Sequence, residues 1–185
     1  MSGDLDQAVI VALGGNLAGA YPSTADVLRA ALARLGEIGL KPVRTSSFWR
    51  SSAWPNPRDP EYLNAVALVE TALAAPEALA ALHRLETTFG NRSQERNAAR
   101  VLDLDLIAFG RLVCDDRQLS VPHPRAAARR FVMAPLAEIA PGWRHPVLGR
   151  TAAELAASAT VGAEAQPVVQ LSSAIASLQD GRGPG

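Results

Sequence analysis

An α+β fold, one antiparallel sheet carrying helices, is the class this chain's pattern predicts. Three observations carry that expectation. Short apolar runs of strand length stop at Gly- or Pro-bearing turns, as at Ala8–Leu13 before Gly14-Gly15-Asn16. Two longer segments, ending near Leu35 and Phe89, instead place apolar residues at helical spacing. The two kinds of segment follow one another in the order β-α-β-β-α-β, in which helices pack on one face of an antiparallel sheet.

The elements follow in chain order. Ala8–Leu13 reads as a buried strand entering a tight turn. Ser23 is placed as a helix N-cap, with Asp26 three residues on. Val27, Leu28, Ala31, Leu32 and Leu35 then form an apolar stripe that Gly36 closes. Val43–Trp49 reads as the second strand. Ser51–Pro60, with Pro55, Pro57 and Pro60 around Trp54, cannot be regular structure. Tyr62–Thr71 is the third strand. Pro76 suits the first turn of the next helix, whose stripe is Leu79, Leu82, Leu85 and Phe89 and whose stop is Gly90. A polar, Arg-bearing loop, Asn91–Ala99, leads into the alternating stretch Arg100-Val101-Leu102-Asp103-Leu104-Asp105-Leu106-Ile107, the last core strand. Its apolar flanks predict a central place in the sheet. A turn at Gly110-Arg111, a short strand Leu112–Cys114, a rigid loop Val121-Pro122-His123-Pro124, a helical segment Ala126–Ile139 broken at Pro135, and a helix Thr151–Ala159 complete the pattern. The whole is a ferredoxin-like βαββαβ core with added strands and helices, in αβα layers. Residues 8–159 form one domain. Residues 160–185 form an extension expected to be largely irregular, whose removal from 165 onward should leave activity within a few-fold.

Composition narrows the function classes. The 185 residues carry 18 basic and 18 acidic side chains, so no net field draws the chain to nucleic acid or an anionic membrane. Aromatics are 5%, too few for a stacking platform along a single strand. No apolar run reaches membrane-spanning length. The N-terminus Met1–Asp6 lacks a secretory apolar region, so a cytoplasmic protein is expected. Cys114 is the sole cysteine, in an apolar context, which excludes a disulfide framework and a cysteine-rich zinc site.

Chemistry concentrates at Asp103 and Asp105. On one strand face they lie roughly 6.5 Å apart along the chain. Asp is depleted in strands, and two like charges so close repel unless a cation lies between them. Carboxylate oxygens suit Mg²⁺. Arg92, Arg96 and Arg100 just upstream supply cations suited to phosphate.

Several further stretches coincide with this pair. They are Gly14-Gly15-Asn16, Ser46–Ser52, Tyr62-Leu63-Asn64-Ala65, Val121-Pro122-His123, and Arg129-Arg130-Phe131 leading to Pro135–Pro141. In this order the chain resembles the 6-hydroxymethyl-7,8-dihydropterin pyrophosphokinases of folate biosynthesis, from about Val9 to Ala157. The resemblance implies transfer of the terminal pyrophosphoryl group of ATP to the hydroxymethyl oxygen of a reduced pterin, with release of AMP. It assigns Asp103 and Asp105 to two Mg²⁺ ions. Arg100, with Arg92 and Arg96 in a catalytic loop, goes to charge stabilisation. His123, Arg129, Glu86 and His83 go to the ATP side. Ser51, Ser52, Ala53, Trp54, Tyr62, Asn64 and Phe131 go to the pterin. Tyr62 and Phe131 match the family's stacking pair, and Asn64 the amide that reads the pterin edge. ATP and the pterin are the implied partners, with no nucleic acid and no membrane, in a monomer or weak dimer.

Two departures stand out. The family often has Arg-Trp-Gly-Pro-Arg where this chain has Arg96-Asn97-Ala98-Ala99-Arg100, so the loop Trp is absent and Trp54 is its expected substitute. Asn91 stands where the family's loop-start arginine is familiar. ATP is expected to bind first, ordering the loop over the site. Two other classes fit an Asp-x-Asp pattern: a nucleotidyltransferase that releases pyrophosphate, and a binding module without activity.

Overall fold

The computed structural model describes residues 5–53, 58–90 and 100–168. Its centre is a six-stranded sheet. The elements are β1 (Val9–Gly15), α1 (Thr24–Leu35), β2 (Lys41–Thr45), β3 (Trp49–Ser51), β4 (Tyr62–Glu70), α2 (Ala75–Phe89), β5 (Asp103–Phe109), β6 (Cys114–Asp115), β7 (Ser120–Val121), α3 (Arg130–Ile139), α4 (Ala152–Ser158) and β8 (Gln166–Pro167). The strand order is β5-β1-β4-β3-β8, with β2 also on β4, and every pairing is antiparallel. The α+β expectation, with its βαββαβ core and added elements, holds.

Helices cover both faces. On one, α1 and α2 bury Val27, Leu28, Leu35, Leu82 and Leu85 against Val9, Val11, Leu13, Leu104 and Leu106. On the other, α3 and α4 bury Val132, Met133, Leu136 and Leu155, with Trp143, against Ile10, Val66, Leu68 and Ile107. The period-2 alternation of β1 sends successive residues to opposite clusters. Each fully buried leucine contributes on the order of 2 kcal/mol from apolar burial.

The helix starts follow from capping. Ser23 Oγ accepts from Asp26 N at 3.2 Å and donates to Asp26 Oδ2 at 2.7 Å. Thr151 and Glu154 form a reciprocal box at the start of α4.

Four expectations need correction. The Asp-bearing strand β5 is not central: it pairs only with β1, and β1 and β4 are the inner strands. Its apolar character comes from cover on both faces and along its outer edge, where His123 N donates to Ile107 O at 2.8 Å. The single strand Val43–Trp49 is two, β2 and β3. Between them Ser46 takes over the pairing, its N–H donating to Val66 O at 2.9 Å and its Oγ accepting from Val66 N at 3.0 Å. Gly36 caps α1 after Leu35 as expected, but in a right-handed conformation, so the chain runs on into a 3₁₀ turn that Gly39, at φ +83°, closes. The segment Ala126–Ile139 breaks at Arg129, which is extended, while Pro135 sits inside α3. The expected strand Leu112–Cys114 is displaced to Cys114–Asp115, paired with β7.

Candidate active site

The sheet face under α3 is apolar at one end and polar at the other. Register places Ala12 between Val66 and Asp105, and Gly14 between Asn64 and Asp103, with Trp49 beside Asn64. Residues directly opposite share a face. One polar row therefore runs Trp49, Asn64, Gly14, Asp103. Ala12 and Val66 already belong to the apolar cluster, so the site begins where that cover ends. Gly14 leaves space in the row: a Cβ there would lie 3.3 Å from Asn64 Oδ1.

Arg100 is held firmly beside Asp103. Its Nη1 donates to Asp103 Oδ1 at 2.8 Å, both side chains being about a third exposed. Its backbone is clamped by Asn16, which is buried. Arg100 N donates to Asn16 Oδ1 at 2.8 Å, and Arg100 O accepts from Asn16 N at 2.9 Å and from Leu17 N at 3.1 Å. Asn16 Nδ2 also donates to Pro60 O at 3.2 Å. Gly15 permits this approach, since a Cβ there would lie 2.3 Å from Val101 O. Burial works against the Arg100 charge, but Asp103, and further off Glu86, raise its pKa above the ordinary arginine value. Glu86, on α2, is 3% exposed.

Asp105 lies deeper. Burial, then the Asp103 charge, push its carboxyl above the ordinary range, opposed by His123, Arg129 and Arg100. Burial lowers the His123 pKa; Asp105 pulls it up, and Arg129 and Arg125 push it down. The net lowering leaves the imidazole neutral at pH 7. His123 Nδ1 accepts from Arg125 N at 3.2 Å, which assigns the proton to Nε2, a donor fit for a phosphate oxygen. Arg129 is likewise depressed by burial and by Arg125, with both aspartates acting the other way. Its guanidinium stands 5.6 Å over the Phe131 ring.

The two carboxylates fit a divalent cation. They are oxygen donors on one face, and burial plus mutual repulsion penalise Asp105 in a way that an added positive charge would relieve. Among the described residues no cluster of three or more His, Cys, Asp or Glu forms a metal cage. A bound ion would complete its shell with water and ligand oxygens, as Mg²⁺ commonly does.

The other end of the polar row is built by β3 and β4. Asn64 is buried, and its Nδ2 donates to Ser51 Oγ at 3.1 Å and to Trp49 O at 3.3 Å. Ser51 pairs with Tyr62, and Ser51 and Ala53 are buried. Burial raises the Tyr62 pKa, and the charges of Arg100, Asp103 and Asp59 act on it as well. Phe131 is half-buried at the start of α3, beside Arg129. The fold thus gathers Asp103, Asp105, Arg100, His123 and Arg129 at one end, and Ser51, Ala53, Tyr62 and Asn64 next to them. His83 is on an exposed position of α2, and Ser52 is exposed beyond β3. Trp54, Arg92 and Arg96 lie outside the described residues, as do Asn91 and Asn97.

Sequence reading missed two supports. One is the Asn16 clamp, although Gly14-Gly15-Asn16 drew attention as a motif. The other is Glu138 on α3, which accepts from Ser47 N at 2.8 Å, Ser47 Oγ at 2.7 Å and Trp49 Nε1 at 2.9 Å. Its partners lie about 90 residues earlier, beyond any local pattern.

Residues 10–141 match the family described as 7,8-dihydro-6-hydroxymethylpterin-pyrophosphokinase (HPPK). The 2-amino-4-hydroxy-6-hydroxymethyldihydropteridine pyrophosphokinase of Synechocystis sp. is 39% identical over 147 residues, 79% of this chain and 73% of that protein. The protein of the same name from Pseudomonas aeruginosa is 39% identical over 155 residues, 82% of this chain and 91% of its own. Among solved structures, wild-type Plasmodium falciparum HPPK-DHPS with SDX-DHP superposes with a TM-score of 0.61 at 14% identity, over 81% of this chain. This chain spans 43% of that longer one, and at such identity the likeness speaks for the fold.

Proposed function

The chain belongs to the 7,8-dihydro-6-hydroxymethylpterin-pyrophosphokinase family, and from that premise we propose how its residues carry the reaction. The enzyme transfers pyrophosphate from ATP to the hydroxymethyl group of 6-hydroxymethyl-7,8-dihydropterin. The hydroxymethyl oxygen bonds to the β-phosphorus, the bond to the α–β bridging oxygen breaks, AMP leaves, and the hydroxyl proton is released. One observation carries the assignment of roles: Asp103 and Asp105 share a sheet face ringed by Arg100, His123 and Arg129.

Mg²⁺ held by Asp103 and Asp105, in our assignment a pair of ions, would neutralise the phosphate oxygens on which charge builds. His123 donates from Nε2 and Arg129 supplies charge to the phosphate tail, both on the Asp105 side. Arg100 exchanges its bond to Asp103 for the transferring group, its backbone kept in place by Asn16. Tyr62 and Phe131 offer faces to the pterin, and Asn64 offers Oδ1, since its Nδ2 is taken by β3. Ser51, Ser52 and Ala53 line that side. Arg92 and Arg96 assist Arg100, Trp54 covers the pterin in place of the family's loop Trp, and ATP binds before the pterin. We assign Glu86 a supporting part beneath Arg100 and His83 a peripheral one on the ATP side. Among the described residues no helix is long and apolar enough to cross a membrane. A cytoplasmic enzyme, monomeric or weakly dimeric, is part of the same proposal.

The test is Mg²⁺-dependent binding of a non-hydrolysable ATP analogue to Asp103→Ala and Asp105→Ala. The metal dependence should disappear in both while the far-UV spectrum stays native. Unchanged Mg²⁺ dependence in either variant would reject the carboxylate assignment.

A further inference from the structure

Beyond the residues that match the family, the chain returns to the site. Val161 bridges to Arg129: Arg130 N donates to Val161 O at 2.8 Å, and Val161 N to Ala128 O at 2.9 Å. Gly162, at φ +68°, lies flat against Phe131, where a Cβ would come 2.6 Å from Cδ1 of the ring. Ala165, 4% exposed, anchors the next turn. Glu164 Oε1 accepts from Ser52 N at 3.0 Å. Gln166 and Pro167 pair with Arg50 and Trp49, and Val168 N donates to Phe48 O at 2.7 Å. With its amide oriented to satisfy both groups, Gln166 also accepts from Arg50 Nε and Nη2, each at 3.2 Å.

We propose that residues 161–168 are a strap that sets the spacing of the pterin pocket, with Glu164 and Gly162 as positioning residues for the pterin. The inference rests on the assignment of Ser51–Ala53 and Phe131 to that pocket. Those two stretches lie about 80 residues apart in sequence and on different elements, β3 and α3. The strap touches both within three residues, Phe131 through Gly162 and Ser52 through Glu164. Ser52 N lies just past the end of β3, where no strand neighbour receives it, so the Glu164 carboxylate fixes the direction in which the chain leaves β3. A carboxylate bond to a backbone N–H is charge-assisted and directional. Gly162 is required by shape: its positive φ and the closeness of the ring both exclude a side chain. The strap meets the phosphate end through backbone bonds to Ala128 and Arg130, either side of Arg129.

The test is steady-state kinetics on the full chain with ATP, Mg²⁺ and 6-hydroxymethyl-7,8-dihydropterin, on Glu164→Ala, Glu164→Gln and Gly162→Ala. Glu164→Ala should raise the pterin KM about three- to ten-fold, the scale of one hydrogen bond. The ATP KM, kcat and melting temperature should stay near wild type. Glu164→Gln, which keeps an acceptor oxygen, should restore most of the pterin KM. Gly162→Ala should raise it further by displacing Phe131. An unchanged pterin KM in both Glu164→Ala and Gly162→Ala overturns the strap, as does a parallel loss of both KM values and melting temperature. Asn64→Ala separates this from the pocket assignment. If Asn64→Ala raises the pterin KM and the strap variants do not, the strap alone fails; if Asn64→Ala has no effect, the pocket assignment fails with it.

Discussion

Replacing Gly15 by alanine tests the geometry of the phosphate end with a single methyl group. The new Cβ would stand 2.3 Å from Val101 O, 3.1 Å from Val101 C and 3.4 Å from Arg100 O. These are backbone atoms, so no side-chain rotation relieves the clash. The Arg100–Val101 segment must retreat by roughly 1 Å to reach ordinary contact. The retreat pulls against the three hydrogen bonds that tie Arg100 to Asn16 and Leu17. Overpacking of this kind costs about 1–3 kcal/mol of stability. The larger effect falls on turnover, because a misplacement of about 1 Å can reduce a positioned reaction on the order of a hundred-fold. Gly14→Ala is the internal control. Its Cβ meets only the Asn64 side chain at 3.3 Å and Leu63 O at 3.8 Å, so it should raise the pterin KM and leave kcat within a few-fold. Stopped-flow or steady-state measurement of AMP release reads both, with calorimetric melting as the check on folding. A folded Gly15→Ala variant with wild-type kcat would refute the claim that the Asn16 clamp positions Arg100.

Asp103→Ala and Asp105→Ala should abolish turnover, and metal-free Asp105→Ala should melt no lower than wild type because a buried like-charge contact is relieved, whereas Asp103→Ala also loses the Arg100 ion pair; wild-type activity in either at ordinary Mg²⁺ would remove the pair from the mechanism. Trp54→Ala should weaken pterin binding by about 1–3 kcal/mol, the scale of one aromatic stack, and leave ATP affinity unchanged; equal pterin affinity by titration calorimetry would reject Trp54 as the cover. Glu138 supplies a pH signature. Burial raises its carboxyl pKa, but the bonds from Trp49 and Ser47 outweigh it and hold the group below the ordinary glutamate value. Its stabilisation is therefore fully present above that ordinary value and fades as pH falls through the lowered one. Glu138→Gln should melt lower than wild type at pH 7 by the equivalent of about 1 kcal/mol, and the gap should close in acid. A gap independent of pH would deny the carboxylate its anchoring part.

Much of this was legible in local pattern, because local pattern is where capping and periodicity act. Ser23 and Asp26 marked the start of α1, and the alternation around Asp103 and Asp105 marked both a strand and a shared face. The place of β5 in the sheet was not legible. Its apolar residues report cover from above, below and beside, which a sequence cannot distinguish from having strands on both sides. The split between β2 and β3 was hidden for a related reason: Ser46 satisfies Val66 N with a side chain, and nothing in a β-rich run announces the substitution. The supports of the site were the least visible. Asn16 to Arg100, Glu138 to Ser47 and Glu164 to Ser52 span 84, 91 and 112 residues. The residues assigned to ligand cluster in recognisable stretches, whereas those that hold them do not. β8 also bears on the truncation expectation, since a chain cut at 165 would keep Glu164 but lose β8 and the Val168 bond to Phe48.

The most direct measurement is the nucleotide product. Full-length chain, ATP, Mg²⁺ and 6-hydroxymethyl-7,8-dihydropterin are mixed, and the phosphorus-containing products are separated and counted. AMP should accumulate one for one with pterin pyrophosphate, with no free pyrophosphate. Release of pyrophosphate together with a pterin–AMP adduct would mean attack at the α-phosphorus and would contradict the account, as would a mixture in which ATP is bound and nothing is transferred.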